Sequence, residues 1–295
     1  MLLPRPYPDE LIGSLLVRSS RRLGVTITQL TRLAGIAPPE KPSFVVPGYL
    51  ARLSDLAGVS AEELLIKHTV FPLIALTSDS VEVKRLRAAS LEKDWLCCFA
   101  AYRAQFPRHP GHVSELRFCV ACAANDAVQF GETYWHRTHN LPGVLTCPEH
   151  LSRLTATSTF LLSSITNKSS ALPDTAHGVR LEHYPPRLLL RHLSNVATDA
   201  MAHGSSSWVD CSDEYAAALR FRGYDAIDRR DVRLQLMHDC ETTYGKPLLE
   251  RLELPLSTPL AQSWVVKLIQ GKQLRRQAVL AHVLLRNFLA IDNIA

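Results

Sequence analysis

The chain has 295 residues, of which 46% are hydrophobic and 21% are charged, an ordinary composition for a globular protein. This composition excludes a chain that is disordered, collagen-like or coiled-coil throughout. The 33 Lys and Arg residues exceed the 28 Asp and Glu residues by only +5, which does not by itself indicate a nucleic-acid binder.

The N-terminus lacks the apolar run of a secretory signal, and the longest uncharged stretch, residues 154–167, is short and rich in Ser and Thr. We therefore expect a cytoplasmic protein with no membrane partner. The 7 cysteines are an odd number in a chain without an export signal. This favours metal binding or simple burial over a framework of disulfides.

Four short helices are predicted near the N-terminus, because apolar residues recur there at helical spacing between glycine, proline and capping signals. Their expected ranges are 11–23, 28–34, 47–57 and a fourth helix that begins after Ser60. Glu63 is spaced to complete a capping box with Ser60. A longer, basic helix is predicted from Val81 to Arg103.

The third and fourth of these helices, joined at Gly58, resemble the two-helix core of a helix-turn-helix unit. The second helix of this unit would open with Glu62 and Glu63, and these carboxylates would repel phosphates. We interpret the unit as structural or as a protein-binding face. The better candidate for reading DNA is a second such unit near the C-terminus, from Arg220 to Leu236 and then from Trp264 to Leu289.

The pattern as a whole predicts a mainly α protein in four segments. Residues 154–186 are rich in Ser and Thr and are typical of a linker, whereas helical periodicity returns after them. The predicted segments are a helical N-terminal domain with a helix-turn-helix-like unit (1–116), a central zinc-knuckle or ribbon module (117–153), the linker (154–186) and a helical, DNA-contacting C-terminal domain (187–295).

The central module carries the most specific pattern, two Cys-x-x-Cys/His knuckles separated by 24 residues. Cys119 with Cys122 and Cys147 with His150 supply four ligands at the spacing of a zinc site. Four protein ligands leave no position for a water nucleophile, so the expected Zn²⁺ is structural. The alternatives are a redox pair at the first two cysteines, or a ligand role for His136 or His139.

Two windows of the sequence lack acidic residues and are the first places to seek a DNA-binding face. The window between Glu10 and Glu40 contains the predicted DNA contacts Arg18, Arg21 and Arg22. The window between Glu253 and Asp292 contains the other predicted contacts, Lys267, Lys272, Arg275 and Arg276. In both windows the alternative is an ordinary solvated helix surface.

The sequence contains no nucleophile elbow, no phosphate-binding glycine loop and no recognisable set of nuclease carboxylates. We therefore expect that the protein is not an enzyme. A second metal site formed by Cys211, His238 and Cys240 is an alternative with weaker spacing.

Several segments resemble the TniQ family, and within it the TnsD-type target selectors of transposons. The segments that carry the resemblance are Pro6 to Leu11 with Ser14 and Arg18, His68 to Leu73, Arg117 to Cys122, Gly131 to His136, Leu141 to Gly143, Cys147 to His150, and Trp264 to Lys267 with Lys272, Arg276, His282, Phe288 and Leu289.

The resemblance implies a non-catalytic protein in the bacterial cytoplasm, associated with the nucleoid. Such selectors bind double-stranded DNA at the attachment site and recruit an AAA+ transposition ATPase of the TnsC type. The family's zinc ligands carry over to Cys119, Cys122, Cys147 and His150. The alternative function is an adaptor that docks the transposition machinery on an RNA-guided CRISPR effector, and a zinc-dependent transcription regulator is a third.

Overall fold

The computed structural model describes residues 3–36, 41–92, 94–107, 114–180, 187–203, 207–257 and 259–291. These residues form 14 α-helices, two short 3-10 helices and one sheet of three strands. The mainly α class is therefore confirmed. Within the described residues, no helix is both long and apolar enough to span a bilayer.

Seven helices form the N-terminal part of the fold. They are α1 (Ile12–Leu23), α2 (Ile27–Leu33), α3 (Leu50–Ala57), α4 (Ala61–His68), α5 (Phe71–Ala75), α6 (Ser80–Glu92) and α7 (Trp95–Gln105). The first four lie where local signals predicted them. The Ser60 hydroxyl accepts the backbone N–H of Glu63 at 3.1 Å, but the Glu63 carboxylate bonds to Lys67 at 2.8 Å, so only half of the predicted capping box forms.

The prediction of a single basic helix from Val81 to Arg103 is wrong, because this segment forms two helices, α6 and α7. The Asp94 carboxylate accepts a hydrogen bond from the backbone N–H of Cys97 at 2.9 Å and so caps a new helix. The break lets α6 and α7 pack against each other.

The sheet joins the central module to the segment that was expected to be a linker. Its strands are β1 (Glu115–Phe118), β2 (Thr155–Phe160) and β3 (Gly178–Arg180), which pair in the antiparallel order β1-β2-β3. Arg117 lies opposite Ala156, and Thr155 lies opposite Arg180. Part of the expected linker is therefore ordered sheet, because its threonines are β-branched and meet a partner strand earlier in the chain. Residues 181–186 of it lie outside the described residues.

The remaining helices are α8 (Val120–Phe130), which begins within the first knuckle and contains Cys122, and six in the C-terminal part. Those six are α9 (Arg187–His203), α10 (Ser212–Phe221), α11 (Arg230–Tyr244), α12 (Lys246–Arg251), α13 (Trp264–Ile269) and α14 (Ala278–Ala290). The predicted return to helix is confirmed. Two helix-turn-helix units stay predictions: α3 with α4, and the C-terminal unit predicted from Arg220 to Leu236 and from Trp264 to Leu289.

The C-terminal helices pack directly on the N-terminal ones. Helix α9 contacts α5, and α14 contacts both α7 and α9. One cluster of buried apolar side chains extends from Leu3 to Ile291 through the described residues. The central module therefore lies against a continuous helical body.

Candidate metal centre

The four predicted ligands come from two short turns. Cys119 follows β1 and precedes the first residue of α8, so that Cys122 lies in the first turn of that helix. Cys147 and His150 lie in a turn closed by an isolated bridge between Thr146 and Arg153. The three cysteines are buried, whereas His150 is exposed.

The ligand atoms of Cys119, Cys122, Cys147 and His150 all lie within 4.8 Å of one another. The His150 Nδ1 atom is 3.7 Å, 3.3 Å and 3.7 Å from the three sulfurs in that order, and the Cys122 and Cys147 sulfurs are 3.6 Å apart. A tetrahedral ion bound at ordinary Zn–S and Zn–N lengths requires ligand separations of roughly 3.5–3.8 Å. The four residues therefore have the spacing and the chemistry to hold one metal ion.

Neighbouring groups hold the sulfurs in place. The Ser152 hydroxyl lies 3.2 Å from the Cys119 sulfur, and the backbone N–H of His150 donates to the Cys147 sulfur at 3.4 Å. Hydrogen bonds from the Cys122 and Cys147 thiols lower the pKa of Cys119. The contacts with Cys119 raise the pKa of Cys122 and of Cys147, so among the three sulfurs they favour the thiolate form of Cys119 alone. Hydrogen bonds of this kind also orient metal ligands.

The two other histidines of the module lie near the cluster but outside it. His136 has its Nε2 atom 2.9 Å from the Asp126 carboxylate. His139 is buried with its Nε2 atom 3.7 Å from the Cys122 sulfur, and burial lowers the pKa of His139 to about 3. Within the described residues, Cys211, His238 and Cys240 form no second metal cluster.

A buried arginine and an asparagine hold the loop at residues 139–141 beside the metal centre, a role that was not predicted from the sequence. Arg117 donates from Nε to the carbonyl of His139 at 3.1 Å and from its guanidinium to that of Leu141 at 3.0 Å. The Asn140 side chain accepts the N–H of Arg117 at 2.9 Å and donates to its carbonyl at 3.1 Å. The only sequence signal for this role is the position of Arg117 two residues before the first knuckle.

The N-terminal motif packs onto the central module. The Asp9 carboxylate accepts hydrogen bonds from Arg137 at 3.0 Å and from the Thr138 hydroxyl at 2.6 Å. The Ser14 hydroxyl accepts the backbone N–H of Trp135 at 3.0 Å. Two segments that lie more than 120 residues apart in the chain therefore form one interface.

Arg18 lies at the centre of this interface and has no exposed side-chain surface. It donates to both oxygens of Glu10 at 2.9 Å and 2.8 Å and to Glu132 at 2.9 Å, and it stacks over the Tyr7 ring at 3.9 Å. A phosphate could reach Arg18 only if these buried ion pairs broke. The placement therefore argues against the DNA contact that the sequence suggested for Arg18.

Arg21 and Arg22 lie at the surface but are also paired. Arg21 contacts the Asp174 carboxylate at 3.1 Å, and Arg22 donates to Glu132 at 2.9 Å. Their partners come from distant parts of the chain, so these two arginines carry less unpaired charge than the sequence suggested.

The cations of the later window lie on α13 and on the turn that joins it to α14. Lys272 and Arg275 are exposed, and neither forms an ion pair with another described residue. Lys267 is half-buried on α13, and Arg276 contacts Glu253 at 3.1 Å. This window therefore presents more free positive charge than the first one does.

Comparison with known proteins gives two matches. The sequence model of the TniQ family matches residues 1–154, which are more than half of the chain. The transposon Tn7 transposition protein TnsD of Escherichia coli is 27% identical over 160 residues, which are 50% of this chain and 30% of that relative. The aligned region therefore covers less than a third of TnsD. The chain belongs to the TniQ family and is related to TnsD.

Proposed function

We propose that the chain is a target-site selector for transposition, which binds attachment-site DNA and recruits an AAA+ ATPase of the TnsC type. The observation that carries this proposal is the similarity to TnsD within a TniQ-family chain. The protein supplies recognition and assembly, and the chemical steps of transposition belong to its partners.

The ion of the metal centre is Zn²⁺, and its role is structural. Three thiolates and an imidazole suit zinc, and four protein ligands leave no open coordination position. The ion would link the ligands at the start of α8 to those in the turn at Cys147. It would therefore stabilise the central module, against which the N-terminal segment with Asp9, Ser14 and Arg18 packs.

Elemental analysis of the purified protein tests the zinc assignment. We expect stoichiometric zinc in the wild type and its loss in Cys122→Ser, together with a lower midpoint of thermal unfolding. Cys97→Ser is the matched control, since Cys97 is a half-buried free cysteine outside the cluster. Wild-type protein without bound metal, or zinc retained after Cys122→Ser, would contradict the assignment.

The DNA-binding face is the later basic window, formed by Lys267, Lys272, Arg275 and Arg276. Phosphate binding requires cations that are not already neutralised, because affinity grows with the number of counterions released from DNA. The exposed positions and free charges of Lys272 and Arg275 support this assignment.

Selection from a random duplex library, followed by footprinting, tests DNA recognition. We expect a preferred sequence, protection that weakens steeply with salt, and loss of protection when Lys272, Arg275 and Arg276 are replaced together by alanine. Recruitment is tested separately by copurification of the ATPase with the protein on the selected duplex. Absence of any duplex binding by the wild type would overturn the selector function.

The second candidate is an adaptor that docks the transposition machinery on an RNA-guided CRISPR effector. It is favoured by the pairing of Arg18, Arg21 and Arg22 with carboxylates of the same chain, which reduces the charge that the N-terminal helices offer to DNA. An adaptor would bind the effector complex and would not bind duplex DNA without it.

A further inference from the structure

A cavity of about 440 Å³ lies between α13, the chain before it, and the turn that leads to α14. We propose that this cavity binds a backbone phosphate of duplex DNA. The inference rests on the proposed DNA-binding function and assigns one contact of it to a particular place in the fold. The cavity has the size of ordinary ligand sites, about 300–1,000 Å³.

The charges that line the cavity favour an anion. Lys267 on α13 and Arg275 and Arg276 in the following turn all line it, and Glu253 is the one carboxylate among the described residues of its lining. Three cations against one carboxylate leave a net charge of +2. Arginine and lysine side chains that converge on one cavity are the usual means of binding a phosphate in proteins.

Glu253 positions Arg276 rather than cancelling the field of the whole cavity. Its carboxylate has 15% exposure and accepts hydrogen bonds from Arg276 at 3.1 Å and from the Gln277 amide at 3.0 Å. The Arg275 and Lys267 charges have no such partner within the described residues. The guanidinium of Arg276 is therefore held by Glu253, while the charges of Lys267 and Arg275 remain available to a ligand.

The backbone around this carboxylate is strained. Glu253 and Gln277 both lie in the left-handed region, with φ of 55° and 51°. Conformations of this kind are unfavourable for a non-glycine residue and concentrate at functional sites. The backbone N–H of Gln277 also donates to the carbonyl of Ala104 at 2.6 Å, which fixes the turn against α7.

The wall of the cavity is rigid as well. Trp264 is buried, and its indole N–H donates to the Leu254 carbonyl at 2.9 Å. Lys267 extends from the same helix as Trp264, and Leu274 contributes an apolar surface from the turn. The cations are thus carried by a packed helix and an anchored turn, so that less backbone freedom is lost when a phosphate binds.

The cavity beside the metal centre shows the opposite character. It has a volume of about 570 Å³, and the carboxylates of Asp9, Asp126 and Glu149 line it. Asp9 and Asp126 are paired with Arg137 and His136. No Lys or Arg is among the described residues that line this cavity, so a phosphate would find no free lysine or arginine there, whereas the cavity at α13 offers Lys267 and Arg275. Duplex DNA that binds this protein should therefore approach the α13 side.

The test measures the affinity for a fluorescent DNA duplex of fixed sequence over a series of salt concentrations. Arg275→Ala should lower the affinity by about tenfold and should reduce the slope of log affinity against log salt by about 1. Lys267→Ala should act in the same direction. Arg275→Lys retains the charge and should keep the wild-type slope, which a general loss of structure would not do.

Lys84→Ala is the matched control, since Lys84 is an exposed lysine of α6 that does not line this cavity. Circular dichroism establishes that each variant is folded. If the wild type binds the duplex and both alanine variants keep its slope, the phosphate assignment is overturned while the selector function stands. If the wild type binds no duplex, both the assignment and the DNA-binding function fail.

Discussion

The two windows without acidic residues both contain several basic residues, but the fold pairs these cations with carboxylates to different extents. In the first window, Arg18, Arg21 and Arg22 all meet carboxylates. In the second, Arg276 meets Glu253, but Lys272 and Arg275 meet no carboxylate within the described residues. A stretch without acidic residues therefore does not establish free positive charge, because Glu132 and Asp174 reach the first window from more than 100 residues away.

The difference also separates two uses of arginine. A buried guanidinium must be paired, because an isolated charge inside a protein is costly. Arg18 is such a group, and it joins α1 to the central module. An exposed cation such as Arg275 costs little to maintain and stays available to a phosphate.

The largest expected effect is that of Arg18→Ala. It leaves Glu10 buried without its partner, which should lower the free energy of unfolding by about 3–5 kcal/mol. Urea denaturation followed by circular dichroism measures the change. A decrease of less than about 1 kcal/mol in the free energy of unfolding would show that the ion pairs of Arg18 do not hold α1 against the central module.

Glu132→Gln should have the next largest effect, and that effect should depend on pH. Burial raises the pKa of Glu132, but hydrogen bonds from Arg22 and Arg18 outweigh burial, so this pKa lies below its usual value. The carboxylate therefore stabilises the fold above the unfolded pKa of about 4.3, and this contribution is lost as pH falls through the lower folded value.

Unfolding midpoints measured between about pH 3 and pH 7 test this assignment. The wild type should lose stability toward the acid end, and Glu132→Gln should remove part of that loss while lowering stability at neutral pH. Equal acid sensitivity in the two proteins would assign the loss to other carboxylates.

The surface pair of Arg21 and Asp174 should contribute much less. Both side chains are more than a third exposed, so solvent screens their attraction and we expect a coupling energy of about 0.2–1 kcal/mol. A double-mutant cycle with Arg21→Ala and Asp174→Ala measures it. A coupling energy above about 2 kcal/mol would show that this pair stabilises the fold as a buried ion pair does, and not as an ordinary surface pair.

The smallest effect on stability is expected at the second window. Lys272→Ala and Arg275→Ala should change the free energy of unfolding by no more than about 0.5 kcal/mol, while DNA affinity falls. A substantial decrease in the free energy of unfolding of either variant would mean that its cation stabilises the fold through contacts within the protein, as the arginines of the first window do.

Local signals in the sequence were sufficient for features that depend on neighbouring residues. Gly58, which is left-handed, correctly predicted the end of α3, and the cap at Ser60 correctly predicted the start of α4. The spacing of the two knuckles brought together the four ligands, because each Cys-x-x-Cys/His turn closes on itself. The helical character of the C-terminal part followed from its periodicity.

Features that depend on distant partners could not be predicted in this way. The burial of Arg18 requires Glu132, and strand β2 requires β1, so neither can be read from its own neighbourhood. The break at Asp94 was missed because the apolar pattern continues through it. Helix α8 was missed because aromatic and β-branched residues, which favour strands, occur on both sides of it.

The pairing of β1 with β2 limits how the protein can be divided. The family match ends at residue 154, and β2 begins at Thr155. A fragment cut between them would leave β1 with an open edge, and it would also uncover the faces of α5 and α7 that α9 and α14 cover. Open strand edges and exposed apolar faces promote aggregation. Expression of residues 1–154 alone should therefore yield insoluble material.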